Sequence, residues 1–279
     1  MITNHLKGKS VIVTGAGSGF GKVVSQKAAA GGALVTCGDI DAAAVEALAH
    51  AIRRDGGQAQ ARRADVTRPE DMRTLVGAAV EAFGRVDVMV NNAGIMPLAF
   101  VADHAIALDA WNRCIDINFK GVINGSVAAY DQMIAQGQGH IINVASIFGN
   151  HPVAGGAVYG ATKAAVIHFS EAMRVEARGK IKVTTIRPTG VPDTGLAAGV
   201  LNPNSGVGIV GHFAATFQDV AAKLYAGTAP AEWVDPTSIE CAFLQPENIA
   251  DAMLYAMNQP WGISIADITV RASGEYHII

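Results

Sequence analysis

Tyr159 and Lys163, in the run Tyr159-Gly160-Ala161-Thr162-Lys163, have the types and the spacing for proton transfer. Helical geometry puts positions i and i+4 on one face, so the phenol and the ammonium lie together. A phenol ionises near pH 10 in water and is a poor base at neutrality. A neighbouring cation favours the phenolate, and a shift of about two to three units needs only about 3–4 kcal/mol of differential stabilisation. The tyrosine then becomes an acid/base group for a substrate oxygen. By itself the spacing is weak evidence and reads first as a packed Tyr and a solvated Lys, so the surrounding elements decide.

Those elements alternate regularly. Short β-branched runs occur at 11–13, 33–37, 86–90, 140–144, 181–186 and 265–270, and a further strand is expected near 58–64. Helical stretches are expected at 22–30, 42–53 and 69–83, the last with Pro69 in its first turn. Apolar strands alternating with helices imply an α/β fold: a doubly wound, Rossmann-type parallel sheet of about seven strands with helices on both faces. No repeat or linker divides residues 1–279, so one domain is expected. The stretch from about 190 to 245 breaks the rhythm, being rich in Gly, Pro and Asn with Phe213, Phe217, Tyr225 and Trp233 among them. A long excursion of this kind reads as a substrate lid, with an oligomer contact or a peripheral helical pair as the alternative.

Bulk properties exclude several classes. Half of the 279 residues are apolar (50%), and a formal net charge of −3 gives no reason to expect nucleic acid or an anionic membrane as partner. Cys37, Cys114 and Cys241 are too scattered for a zinc site and odd in number, against a disulfide framework. With no secretory peptide or long apolar span evident, a cytoplasmic protein is expected.

Thr14-Gly15-Ala16-Gly17-Ser18-Gly19-Phe20-Gly21 lies between the first strand and the first helix. Glycines there let a pyrophosphate approach the helix N-terminus, where unpaired N–H groups and the helix dipole favour anions. The pattern GxGxxG fails from Gly15 because Phe20 fills its sixth place, whereas TGxxxGxG fits through Thr14, Gly15, Gly19 and Gly21. Asp39 closes the second strand, where an acid bonds the adenosine ribose hydroxyls and repels a 2′-phosphate. The turn carries no basic residue and Cys37-Gly38 precede the acid, so NAD is expected over NADP. The other reading of Asp39 is a helix cap. Asp65-Val66, after the third strand, would hold the adenine amino group or cap the next helix.

TGxxxGxG, Asn91-Asn92-Ala93-Gly94, Asn118, Ser146 and the Tyr159/Lys163 pair occur in that order, and with them the chain resembles the short-chain dehydrogenase/reductase family in its single-domain branch. The resemblance implies that Tyr159 is the catalytic acid/base and that Lys163 binds the nicotinamide ribose and lowers the Tyr159 pKa. It also implies that Ser146 holds the substrate oxygen, and that Asn118 keeps a water in contact with Lys163. Asn92 and Gly94 would shape the wall beside the adenosine. Ser18, Gly19, Phe20 and Gly21 would meet the pyrophosphate. Pro188 and Val191 would meet the nicotinamide, with Thr194 adding a hydrogen bond to it. Thr189 stands where the family commonly has glycine. The reaction implied is hydride transfer between NAD(H) and a secondary alcohol or ketone.

Met96, Phe148, His151, Val153, Leu196, Phe213 and Phe217 are the expected substrate contacts, mostly apolar and without Arg or Lys, which suits a bulky aromatic or alicyclic substrate. An epimerase or dehydratase sharing the Tyr/Lys pair, and a non-catalytic NAD sensor, are the competing readings. The apolar end of the chain (Trp261, Ile263, Ile265, Ile268, Val270) fits burial in a homodimer or homotetramer, as the resemblance implies, or packing within the chain.

Overall fold

The computed structural model describes residues 4–192 and 194–278. Its strands are β1 (Ser10–Thr14), β2 (Leu34–Asp39), β3 (Gln58–Arg63), β4 (Val88–Asn91), β5 (Gly139–Val144), β6 (Ile181–Pro188) and β7 (Asp267–Val270). Its helices are α1 (Gly19–Ala30), α2 (Ala42–Arg54), α3 (Pro69–Phe83), α4 (His104–Ile115), α5 (Gly121–Ala135), α6 (Ala157–Glu176), α7 (Ala214–Tyr225) and α8 (Pro246–Met257). The strands form one sheet in the order β3-β2-β1-β4-β5-β6-β7, and every pairing is parallel. The expected Rossmann-type architecture is therefore what the chain adopts.

Alternation along the strands explains the two layers. Val11, Val13, Val88, Val90, Ile142 and Val144 face one apolar cluster with Val24, Val45, Leu48, Ile249 and Met253 of α1, α2 and α8. Ile12, Met89 and Ile141 face the other, with Met72, Leu75, Met133 and Met173 of α3, α5 and α6. Strands buried on both faces need apolar side chains at successive positions, which is why they read as continuous β-branched runs. Strand order reverses between β1 and β4, so a crevice opens there at the carboxyl ends of the strands.

Element boundaries shift where hydrogen bonding outruns composition. Residues 265–266 already lie along β6, since Thr184 Oγ1 donates to Ile265 O and Thr185 N to Ala266 O, yet the ladder of β7 begins only at Asp267. Between α4 and α5 the helix does not break but loosens into a π turn at Asp116–Lys120, which carries Asn118. Periodicity gives no sign of it.

The stretch from 190 to 245 contains α7 and several 3₁₀ turns, and it folds back over the crevice. Leu201 N and Asn202 N both donate to Leu98 O, at 3.0 and 3.2 Å, and Asn202 Nδ2 donates to Asp103 at 2.8 Å. Among the described residues no helix is long and apolar enough to cross a membrane. Cys37, Cys114 and Cys241 are buried free thiols.

Candidate active site

A cavity of about 820 Å³ lies over the crevice, walled by the segments that follow β1 to β6. At one end is the glycine turn. Gly15 and Gly19 have φ of 64° and 48°, a region that side chains avoid. Ser18 stands at the N-cap of α1, but its side chain makes no capping bond and the first turn holds no acid. The Ser18 hydroxyl and the leading N–H groups of α1 are thus free to meet an anion. Gly21 does not line the cavity. A Cβ there would stand 2.1 Å from Gly15 O and 2.6 Å from Asn92 Nδ2, so its role is close packing of helix on turn. Gly21→Ala is expected to destabilise by about 2 kcal/mol, the usual scale of overpacking, and a urea midpoint equal to the parent's would refute this. Phe20 lines the cavity from α1. Asn92 braces the turn, donating Nδ2 to Thr14 O at 3.0 Å and Gly15 O at 3.2 Å, while Thr14 Oγ1 accepts from Asn92 N at 3.1 Å.

Asp39 and Ile40 follow along the same wall. The Asp39 carboxylate accepts from Gly17 N at 2.9 Å and Asp41 N at 3.0 Å, which fixes it against the glycine turn. It is Asp41, not Asp39, that caps α2, accepting from Ala44 N. Asp65 Oδ1 is taken by Thr67 N and Oγ1, in a turn before α3, although Asp65 and Val66 also line the cavity. Arg113 of α4 lines it too, one helical turn before Ile117. No sequence signal separates that arginine from its exposed neighbours.

At the other end lie Ser146, Tyr159 and Lys163. Ser146 leaves β5 and begins a 3₁₀ turn, accepting from Phe148 N. Tyr159 and Lys163 lie one turn apart on α6, both buried, with Lys163 Nζ 5.7 Å from the phenol ring centre. Nζ donates to Val144 O at 2.8 Å. Burial pushes the Tyr159 pKa up to about 12, and the Ser146 hydroxyl facing it pulls the other way. Burial brings Lys163 down to about 8. Desolvation of the phenol thus outweighs the lowering expected from Lys163.

Asn118 is fully buried beneath this pair and does not line the cavity. Its Oδ1 accepts from Ile95 N at 2.9 Å, and its Nδ2 donates to Ile95 O at 2.9 Å, to Cys114 Sγ at 3.2 Å and to Thr162 Oγ1 at 3.3 Å. A Cβ on Gly94 would stand 3.3 Å from Asn118 Oδ1 and 3.7 Å from Lys163 Nζ, so the glycine leaves open the gap between these two groups.

Pro188, Thr189, Gly190 and Val191 continue from β6 along the cavity. Thr194 donates Oγ1 to Val191 O at 3.1 Å and lies over the glycine turn, its carbonyl 3.4 Å from where a Cβ on Gly19 would be. Of the expected substrate contacts, Met96, Phe148, Leu196 and Phe217 line the cavity. Phe148 also packs edge-on to Tyr159 at 5.4 Å. His151, Phe213 and Val153 are not among the lining residues. His151 is exposed beyond the 3₁₀ turn, Phe213 packs edge-on to Tyr276 at 5.9 Å, and Val153 is buried with Ile147 and Ile209. The wall also holds Tyr225, Phe243 and His277, so it is less uniformly apolar than composition suggests.

Residues 9–204 match the family described as short chain dehydrogenase. The chain belongs to that family. An uncharacterized oxidoreductase of Listeria monocytogenes is 34% identical over 273 residues, covering 97% of this chain and 98% of the relative. One from Staphylococcus aureus is 31% identical over 267 residues, covering 95% and 98%. A 7α-hydroxysteroid dehydrogenase solved with NADH and 7-oxo glycochenodeoxycholic acid superposes with a TM-score of 0.79 at 25% identity, covering 99% of this chain and 98% of that one. An alcohol dehydrogenase of the archaeon Thermococcus sibiricus, solved with 5-hydroxy-NADP, shares the fold at a TM-score of 0.74 and 20% identity, over 96% and 97% of the two chains. The protein is accordingly an oxidoreductase of the short-chain dehydrogenase family, with relatives of known structure that bind nicotinamide cofactors.

Proposed function

We propose that this protein is a cytoplasmic, NAD(H)-dependent alcohol dehydrogenase or ketoreductase acting on a bulky, largely apolar secondary alcohol or ketone. The observation that carries the reading is the convergence of Ser146, Tyr159 and Lys163 with the glycine turn on one cavity. The free Ser18 hydroxyl and α1 N-terminus fit a pyrophosphate, and Gly94 leaves room beside Lys163 for a ribose or a water. Asp39, held at the end of β2, suits the adenosine ribose of NAD and opposes a 2′-phosphate.

The nicotinamide supplies the hydride acceptor or donor. Tyr159 takes the hydroxyl proton of an alcohol, or gives a proton to a carbonyl oxygen. Ser146 holds that oxygen, a fixed dipole aimed at the developing charge. Lys163 holds positive charge near the phenol, and Asn118, locked to Ile95, keeps the base of the site rigid. The rings of Phe148 and Phe217 exclude water around the reacting carbon. The stretch from 190 to 245 serves as the lid of a single catalytic domain.

The 7α-hydroxysteroid dehydrogenase neighbour, solved with NADH and an alicyclic ketone, supports both the cofactor and the substrate class. Assembly into a dimer or tetramer is supported by exposed apolar side chains on α4 and α5 (Ile106, Leu108, Val127) and near β7 (Trp261, Ile263). The test is oxidation of NADH and of NADPH with a panel of alicyclic, aryl and small polar ketones. Faster turnover of apolar cyclic ketones with NADH is expected, and turnover confined to charged or polyhydroxylated substrates would sink the substrate assignment. Asp39→Ser should move the NADH/NADPH ratio of kcat/KM toward NADPH by about 100-fold, because removing a like charge near a phosphate relieves a repulsion of several kcal/mol. An unchanged ratio would reduce Asp39 to a brace for the turn.

A further inference from the structure

The residues after β7 return to the cavity, and the mechanism above makes no use of them. Gly274 N donates to Cys241 O at 2.7 Å, and Ile278 N donates to Ile209 O at 3.0 Å, tying the tail to the lid. Between these anchors lie Glu275 and His277, whose side chains are 4% and 9% exposed. Arg271 Nε donates to Glu275 Oε1 at 2.5 Å, and Glu275 Oε2 lies 3.2 Å from His277 Nδ1. Burial acts to raise the Glu275 pKa, but the polar groups of His277 and Thr189 beside it and the charges of His277 and Arg271 hold the carboxyl below its usual value. The imidazole faces the cavity beside Phe217, with ring centres 6.3 Å apart. It rests on the Gly190 backbone, where a Cβ would stand 2.9 Å from Cε1. Nδ1 is turned to a carboxylate, so Nε2 is the nitrogen left for a ligand.

We infer that His277 is a specificity-determining residue whose Nε2 hydrogen-bonds a second oxygen of the substrate, a hydroxyl or carbonyl remote from the reacting carbon. This rests on the cavity being the substrate site of a ketoreductase. Three observations converge on it. The buried Glu275 carboxylate, anchored by the more exposed Arg271, stands 3.2 Å from Nδ1 and so sets the side of the ring that faces the cavity. The two residues that give the ring its place, Thr189 against the carboxylate and Gly190 beneath the ring, lie where this sequence departs from the usual Pro-Gly turn. The nearby wall is aromatic, with Phe148, Phe217 and Phe243. A pure hydrocarbon seated against it strips Nε2 of water and offers nothing in return, whereas a hydroxylated ring completes the bond. Sites built this way discriminate strongly against analogues lacking the oxygen.

The experiment compares a decalone with positional isomers of hydroxydecalone. It measures turnover with NADH and equilibrium binding of each ketone to the protein–NADH complex, for the parent, His277→Ala and His277→Gln. The parent should favour at least one hydroxydecalone over the decalone by about tenfold or more. His277→Ala should erase that preference, weakening the hydroxydecalone and tightening the decalone that no longer strands Nε2, with NADH binding unchanged. His277→Gln, which keeps a hydrogen-bonding end, should retain part of it and serves if the alanine variant folds poorly. No preference in the parent, equal losses on both ketones, or weakened NADH binding in the variants would each overturn the inference. A binding preference that His277→Ala removes, in a parent that reduces no ketone, would keep the inference and refute the proposed reaction instead.

Discussion

Replacing Tyr159 by Phe is expected to lower kcat/KM by about 10³-fold or more in both directions, toward the upper end of what a positioned acid/base group contributes. NADH binding should stay within about twofold, and thermal stability should hardly change, because the ring packing against Phe148 survives the loss of one hydroxyl. The ionisation of the phenol gives the sign of the pH dependence. Burial pushes its pKa up to about 12 in the unliganded protein, so at neutrality the group is protonated and ready to act as an acid. Ketone reduction should therefore be flat with pH through neutrality, while alcohol oxidation, which needs the phenolate, should climb as pH rises. An ultraviolet difference titration of the unliganded parent against the Phe variant isolates this phenol. A phenolate signal appearing near pH 7 would contradict the burial argument. Retention of more than a tenth of parental turnover in the variant would remove Tyr159 from the chemistry.

What could be read from the sequence divides along the range of the interactions involved. The central strands and α3 were legible because their signals are local: β-branched runs buried on both faces, and Pro69 opening a helix that ends at Phe83 before Gly84 in a left-handed conformation. The glycine turn was legible because backbone conformation restricts residue type at Gly15 and Gly19. Asn118 could be singled out only by family resemblance, since the π turn that carries it has no periodic signature. Arg113 and His277 were not legible at all. Each reaches the cavity through long-range packing, the first because of how α4 sits on the sheet, the second because the tail bonds to Ile209 and Cys241. Phe213 and His151 show the converse error. Both are of types that line pockets, but orientation set by neighbouring turns sends one onto Tyr276 and the other to solvent.

Lys163→Met should abolish most activity and yet make the protein more stable at pH 7. Folding takes the ammonium out of water and brings its pKa from 10.5 down to about 8. Below pH 8 the group is charged in both the folded and the unfolded chain, and folding bears the full desolvation cost of about 3 kcal/mol. Between pH 8 and 10.5 the unfolded chain binds more protons than the folded one, so parental stability rises with pH across that window and levels off above it. A methionine of similar length removes the charge. It also loses the bond to Val144 O, which offsets about 1 kcal/mol of the gain. The net expectation at pH 7 is about 2 kcal/mol, or a melting temperature about 4–8 °C higher, with the parent's rise between pH 8 and 10.5 absent from the variant. Turnover should fall by at least about 100-fold, because no cation remains beside Tyr159. A variant less stable than the parent at pH 7 would make Lys163 a structural residue bonded to its carbonyl. The opposite result, stability gained as activity is lost, is the mark of a charge kept buried for what it does to a neighbouring oxygen rather than for what it adds to the fold.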